Sequence, residues 1–152
     1  MSGEYDLPCD ILARHLQSLG LGTDPEDDDT WPLFASHMPT EPDEAIAVYD
    51  TVGFTQGRIQ RTGDTVDKLG ISVKVRGNDP VATYKKCNKI LQSFDRDCKQ
   101  KLVTIGDYTY RIHAVSRKTA VIPDRGKPKE ETRSIYFVNA LMTMTVESEP
   151  EE

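Results

Sequence analysis

The chain has 152 residues, 25 acidic and 19 basic, for a formal charge of −6, and 37% of it is hydrophobic. That length supports a buried core, and no apolar run approaches a membrane-spanning length. The opening MSGEYDLPCD lacks the basic and apolar regions of a secretory signal, so synthesis and retention in the cytoplasm are expected.

In chain order, a first helix is predicted over residues 6–19. Leu12, Leu16 and Leu19 form its apolar stripe, Cys9, Ile11 and His15 flank it, and Gly20 and Gly22 end it. Residues 23–44 read as loop, with Pro25, Pro32, Pro39 and Pro42. Within them, Trp31-Pro32-Leu33-Phe34 either pins the loop to the core or forms a brief strand. AIAVYDTVG, residues 45–53, is a strand by its β-branched and aromatic content. Residues 54–68, FTQGRIQRTGDTVDK, have no clear period and predict a long connection or an extended arm.

The stretch LGISVKVRGNDPVATYKKCNKILQSF, residues 69–94, reads as strand, turn and helix. Leu69, Ile71, Val73 and Val75 alternate with Ser72, Lys74 and Arg76, which predicts one buried and one wet face. Asp79 suits a helix N-cap and Pro80 the first helical position. The helix would bury Val81, Tyr84, Cys87, Ile90, Leu91, Phe94 and Cys98, leaving Lys85, Lys86, Lys89 and Gln92 to solvent. This is not a phosphate cradle: the turn has one glycine, and Asp79 would repel the anion.

Lys101–Ile105 is a possible short strand, and GDYTYRIHAVSR is a strand with both faces partly apolar. Residues 118–133, KTAVIPDRGKPKEETR, form a second polar excursion. Residues 134–146 are the longest strand. The order of elements sustains no βαβ alternation, which predicts an α+β fold: a mostly antiparallel sheet with two helices packed on one face and long extended arms. Residues 1–146 are read as one domain and 147–152 as an acidic, frayed tail.

No residue pattern offers an active site, a cofactor site or a metal site. HExxH, CxxC and GxSxG are absent, and His15, His37 and His113 are scattered. DPEDDD, residues 24–29, lacks the glycine and the distal glutamate of a calcium loop. Cys9, Cys87 and Cys98 are an odd number with no close pairing, which favours reduced, buried thiols. The acids are concentrated, five in residues 24–29 and four in residues 147–152; sixteen remain elsewhere against nineteen bases. Such runs are ordinarily solvated.

LGLG after the first helix, MPTEPDEAIAVYDTVG, the 69–94 stretch and GDYTYRIHAVSRKTAVIPDRGKPKEETRSIYFVNALMT occur together in this order. The set, covering about residues 6–146, resembles the minor capsid and tail terminator proteins of long-tailed bacteriophages. In that family a strand ending in valine-arginine-glycine, here Val75-Arg76-Gly77, leads into a helix of matching length. DPEDDDTW is longer than the family pattern. The resemblance implies a non-enzymatic α+β virion protein, made in the host cytoplasm, that assembles into a ring, typically a hexamer. The ring caps the tail tube, ends its polymerisation and meets the head connector or stopper protein, while DNA passes through without specific binding. Neck proteins of related fold, with head-completion or stopper roles, are the neighbouring alternative.

The two excursions supply the patches that a ring requires. Loops this long in a small domain usually serve function, and ring closure needs two different patches of one subunit to meet. Phe54, Arg58, Ile59 and Arg61 in the first, with Val121, Ile122 and Arg125 in the second, are the candidate subunit contacts. The second excursion either adds a strand to a neighbour or folds back on its own sheet. Two other readings stay open: a nucleic-acid module using the basic loop 117–133 (Arg117, Lys118, Arg125, Lys127, Lys129 and Arg133), and a small enzyme with an unrecognised site.

Overall fold

A long central strand with an arginine on its polar face organises the molecule. The computed structural model describes residues 6–24, 31–39, 43–58, 65–123 and 134–148. Its elements are α1 (Pro8–Ser18), β1 (Leu33–Ala35), β2 (Ala45–Arg58), β3 (Thr65–Gly77), α2 (Pro80–Arg96), β4 (Lys101–Ile105), β5 (Tyr108–Arg117), β6 (Ile122–Pro123) and β7 (Ser134–Ser148). The strands form one sheet in the order β1-β2-β3-β7-β5-β4, with β6 also on β7. Every pairing is antiparallel except the parallel β1–β2. The fold is the expected α+β.

Ile46 and Val48 of β2 lie opposite Val75 and Val73 of β3, and Val73 lies opposite Val138 of β7. These residues join Leu12 and Leu16 of α1 and Cys87, Ile90, Leu91 and Phe94 of α2 in one buried cluster. Both helices therefore cover the same sheet face. α1 touches β1 and β2 at one end of the strand order and β4 at the other, so the sheet curls around it.

Each helix start has an identifiable cap. Asp79 accepts the Val81 amide at 3.1 Å, and Pro80 follows it as predicted. α1 begins after Leu7, which offers no side-chain cap. Its free Cys9 amide donates instead to Asp50 Oδ1 of β2 at 3.0 Å. Just ahead of it, the Asp6 amide donates to the Tyr110 oxygen at 2.9 Å, and the Tyr110 hydroxyl donates back to Asp6 Oδ2 at 2.6 Å. At the far end of α1, the buried His15 donates from Nε2 to the Asp97 carbonyl at 2.7 Å, tying α1 to the end of α2.

Several expectations change. Residues 54–58 and 65–68 are strand, with pairs running out to Arg58↔Thr65, so the first arm is a paired ribbon. Register shifts between Thr51 and Phe54 and between Thr55 and Gly57 place two extra residues on β2. Such bulges increase twist and break the two-residue period that a strand would otherwise show. The polar face of β3 is not wet throughout: Ser72 is buried, and Arg76 is 4% exposed with Nε donating to the Asp43 carbonyl at 3.0 Å. The apolar face of α2 is rotated from the predicted one. Thr83 is buried while Val81 and Tyr84 are 61% and 46% exposed. The Thr83 hydroxyl is satisfied internally, donating to the Asp79 carbonyl at 2.7 Å.

Candidate assembly interface

The two arms are built by neighbouring strands. β2 and β3 pair beyond the point at which β3 leaves β7: the β3–β7 ladder stops at Leu69↔Met142, whereas β2–β3 continues to Arg58↔Thr65. The ribbon thus stands off from the rest of the sheet. The second excursion folds back on its own sheet over its first part. Ile122 lies opposite Phe137, Pro123 opposite Tyr136, and the Lys118 amide donates to the Asn139 carbonyl at 2.8 Å.

Register fixes where these arms point. Arg58 meets Thr65 at the start of β3, while Gly77 at its end faces Ser134, where β7 begins beside β6. The β2–β3 ribbon and the β6–β7 hairpin open toward opposite ends of the sheet. Phe54 and Arg58 therefore belong to one end of the molecule, and Val121 and Ile122 to the other. Val121 packs against the core and Ile122 is half-buried. Ile59, Arg61 and Arg125 lie outside the described residues. Among the described candidates, Phe54 and Arg58 are thus at one end of the sheet and Val121 and Ile122 at the other.

The Val75-Arg76-Gly77 motif acquires a physical account. Val75 enters the core, Arg76 holds the segment before β2, and Gly77 leaves room for its neighbours. A Cβ on Gly77 would stand 2.4 Å from Thr83 Oγ1 and 3.3 Å from the Trp31 ring. The strand-to-helix turn closes under that ring, and Lys86 lies 5.8 Å from its centroid.

Two further surface features lie on α2 and β4. Leu102 of the edge strand β4 is 56% exposed. On α2, Lys85, Lys89, Gln92 and Arg96 lie on one exposed face, with Lys86 half-buried beside them. The sequence does mark the lysines as a polar face, but it cannot show whether acids neutralise them. Burial, with Lys89 nearby, lowers the Lys86 pKa. A cleft of about 440 Å³ beside this face is lined by Leu19, Leu21, Lys89, Gln92, Ser93, Arg96 and Asp97. Arg117 of the supposed basic loop is engaged with Asp95 at 2.8 Å, and residues 124–133 lie outside the described residues.

No group of His, Cys, Asp and Glu among the described residues could hold a metal. Burial pushes the Cys87 and Cys98 thiols up to about 12 and raises that of Cys9, so none is a ready thiolate at neutral pH. No helix is long and apolar enough to cross a membrane among the described residues.

A family model described as bacteriophage tail terminator protein matches residues 15–123, from within α1 to the end of β6. The chain belongs to the bacteriophage tail terminator family. No curated protein matches it. As a member of this family it is a structural protein of the phage tail, located in the virion and associated with other tail and head proteins. The matched span contains the end of α1, all of α2, the ribbon and the Val75-Arg76-Gly77 turn.

Proposed function

We propose that this tail terminator closes into a ring of six copies on the end of the finished tail tube. There it ends tube polymerisation and presents the opposite surface to the head connector. The observation that supports this reading is the opposed placement of the two arms, one at each end of a curled sheet. A ring between a tube and a connector needs distinct surfaces above and below, and distinct lateral patches for head-to-tail closure. The protein acts without catalysis, cofactor or metal, and residues 1–146 work as one unit. DNA passes through the ring unbound, because tight passage would require many cationic phosphate contacts.

The test is the mass of the purified protein over a range of concentrations, with electron microscopy of large species, alone and with tail-tube protein. Six-fold rings, or caps on tube ends that stop elongation, are the expected result. A protein that stays monomeric and leaves tube growth unchanged overturns the proposal.

A further inference from the structure

The sheet ends differently on its two sides. At the β1 end the strand edge is taken: the Leu33 amide donates to the Thr23 carbonyl at 2.9 Å, and the Gln17 side-chain amide donates to the Leu33 carbonyl at 3.3 Å. β4 ends the other side. It turns into β5 over two residues, Gly106 and Asp107, and Gly106 has the positive φ, 58°, that suits the first position of a type II′ turn. In such a hairpin the residues flanking the turn exchange both hydrogen bonds, and bonded and non-bonded pairs then alternate. Ile105, Val103 and Lys101 therefore bond to β5, while Leu102 and Thr104 direct their amides and carbonyls outward. No described residue hydrogen-bonds those four backbone groups. The Leu102 side chain is 56% exposed. An open edge with an exposed leucine is a template for another strand.

The same chain carries a strand segment that lacks a second neighbour. β3 leaves β7 at Leu69↔Met142, so residues 65–68 pair with β2 alone, and their other edge has no strand beside it among the described residues. Lys68 still reaches β7, but through its side chain, Nζ donating to Thr143 Oγ1 at 3.1 Å. The four residues of this segment and the five of β4 are comparable in length, about 13 and 16 Å. The two open edges belong to different strands, with β7 and β5 between them in the sheet. Joining unlike edges of successive copies is a heterologous contact, which can close a ring, whereas β4 on β4 gives a two-fold pair. We propose that the β2–β3 ribbon of one copy lays its β3 edge along β4 of the next, continuing the sheet from subunit to subunit by β-addition. The inference rests on the ring reading and names the hydrogen bonds that join the copies.

The experiment is hydrogen exchange of the full chain, read amide by amide, in dilute solution and in assembled rings. The Leu102 and Thr104 amides should exchange at least about tenfold more slowly in rings, while the Val103 amide is slow in both states. In parallel, Thr104→Pro removes an outward amide without breaking a bond to β5, a substitution that an edge strand tolerates. It should keep the wild-type circular dichroism spectrum and lose ring formation. A third measurement guards against a folding defect in that variant. A Thr104→Cys chain is mixed under mild oxidation with chains carrying Thr65→Cys, Val66→Cys, Asp67→Cys or Lys68→Cys in turn; the three native cysteines are buried. A mixed disulfide between copies is expected at one or more of these positions. Rings whose Leu102 and Thr104 amides stay open overturn this contact and leave the ring reading intact. Amides already slow in dilute monomer show the edge covered by its own chain and also overturn the contact. Protection that appears only with added tail-tube protein assigns the edge to a strand of that protein instead. A wild-type chain that assembles neither alone nor on tubes overturns both readings.

Discussion

The Thr83 hydroxyl occupies the space that a side chain on Gly77 would need: a Cβ there would lie 2.4 Å from Thr83 Oγ1, well inside van der Waals contact. Gly77→Ala should therefore destabilise the fold by about 1–3 kcal/mol, the usual range for overpacking. Chemical denaturation reads this directly. Combining Gly77→Ala with Thr83→Ala should give less than the sum of the two single losses, because the second substitution removes the clash. Strict additivity would show that the two residues do not compete for the same space.

Asp50 caps a helix that lies far from it in sequence, accepting the Cys9 amide at 3.0 Å. Asp50→Ala should cost about 1 kcal/mol, as loss of an N-cap acceptor does. Hydrogen exchange should quicken first at the amides near Cys9. Unchanged protection there would mean that solvent satisfies the amide equally well.

His15 is 6% exposed and supplies the hydrogen that the Asp97 carbonyl accepts at 2.7 Å. His15→Leu should cost about 1–3 kcal/mol by leaving that carbonyl without a donor. Thermal melting measures the loss. A variant as stable as wild type would place water in the role of the imidazole.

Alkaline stability follows from buried acids kept neutral. Burial raises Cys87 and Cys98 from 9.0 to about 12, and burial with the Asp6 carboxylate raises Tyr110 from 10.0 to about 12. In each case the folded protein holds a proton that the unfolded chain releases. The stabilisation is complete below the ordinary pKa and is lost as pH climbs through the folded one. Above pH 9, stability should fall by about 1.4 kcal/mol per pH unit for each group that ionises only on unfolding. Urea titrations across this range should show a shallower decline for Cys87→Ala than for wild type.

Replacing residues 56–66 by a two-residue turn removes the outer ribbon, whose last described pairs are Gly57↔Val66 and Arg58↔Thr65. The shortened chain should retain its circular dichroism spectrum and lose ring formation. Rings formed by it would move the subunit contacts elsewhere.

What could be read from sequence followed from how faithfully each segment keeps its period. β3, the Asp79-Pro80 helix start and the buried Cys87, Ile90, Leu91 and Phe94 were legible because alternation, capping and helical spacing agree there. The outer ribbon was not, because two bulges on β2 destroy the alternation that would have announced it. Val81 and Tyr84 were placed inside because apolar character does not reveal that buried Thr83 satisfies its hydroxyl on the Asp79 carbonyl. Arg76 was placed outside because its partner, the Asp43 carbonyl, lies 33 residues away. For the candidate contacts, composition suggested two arms, but only strand register could show that they face opposite ways.

β7 is the last described strand in the chain and yet lies between β3 and β5, in the interior of the sheet. Until it emerges from the ribosome, β2–β3 and β4–β5 are separate hairpins, each with a bare edge facing the gap. Sheet closure must wait until β7 has been made, and such non-local pairing is slow and exposed to aggregation. The order of the strands in the chain therefore differs from their order in the sheet: a chain made only as far as β5 lacks the strand that joins its two halves.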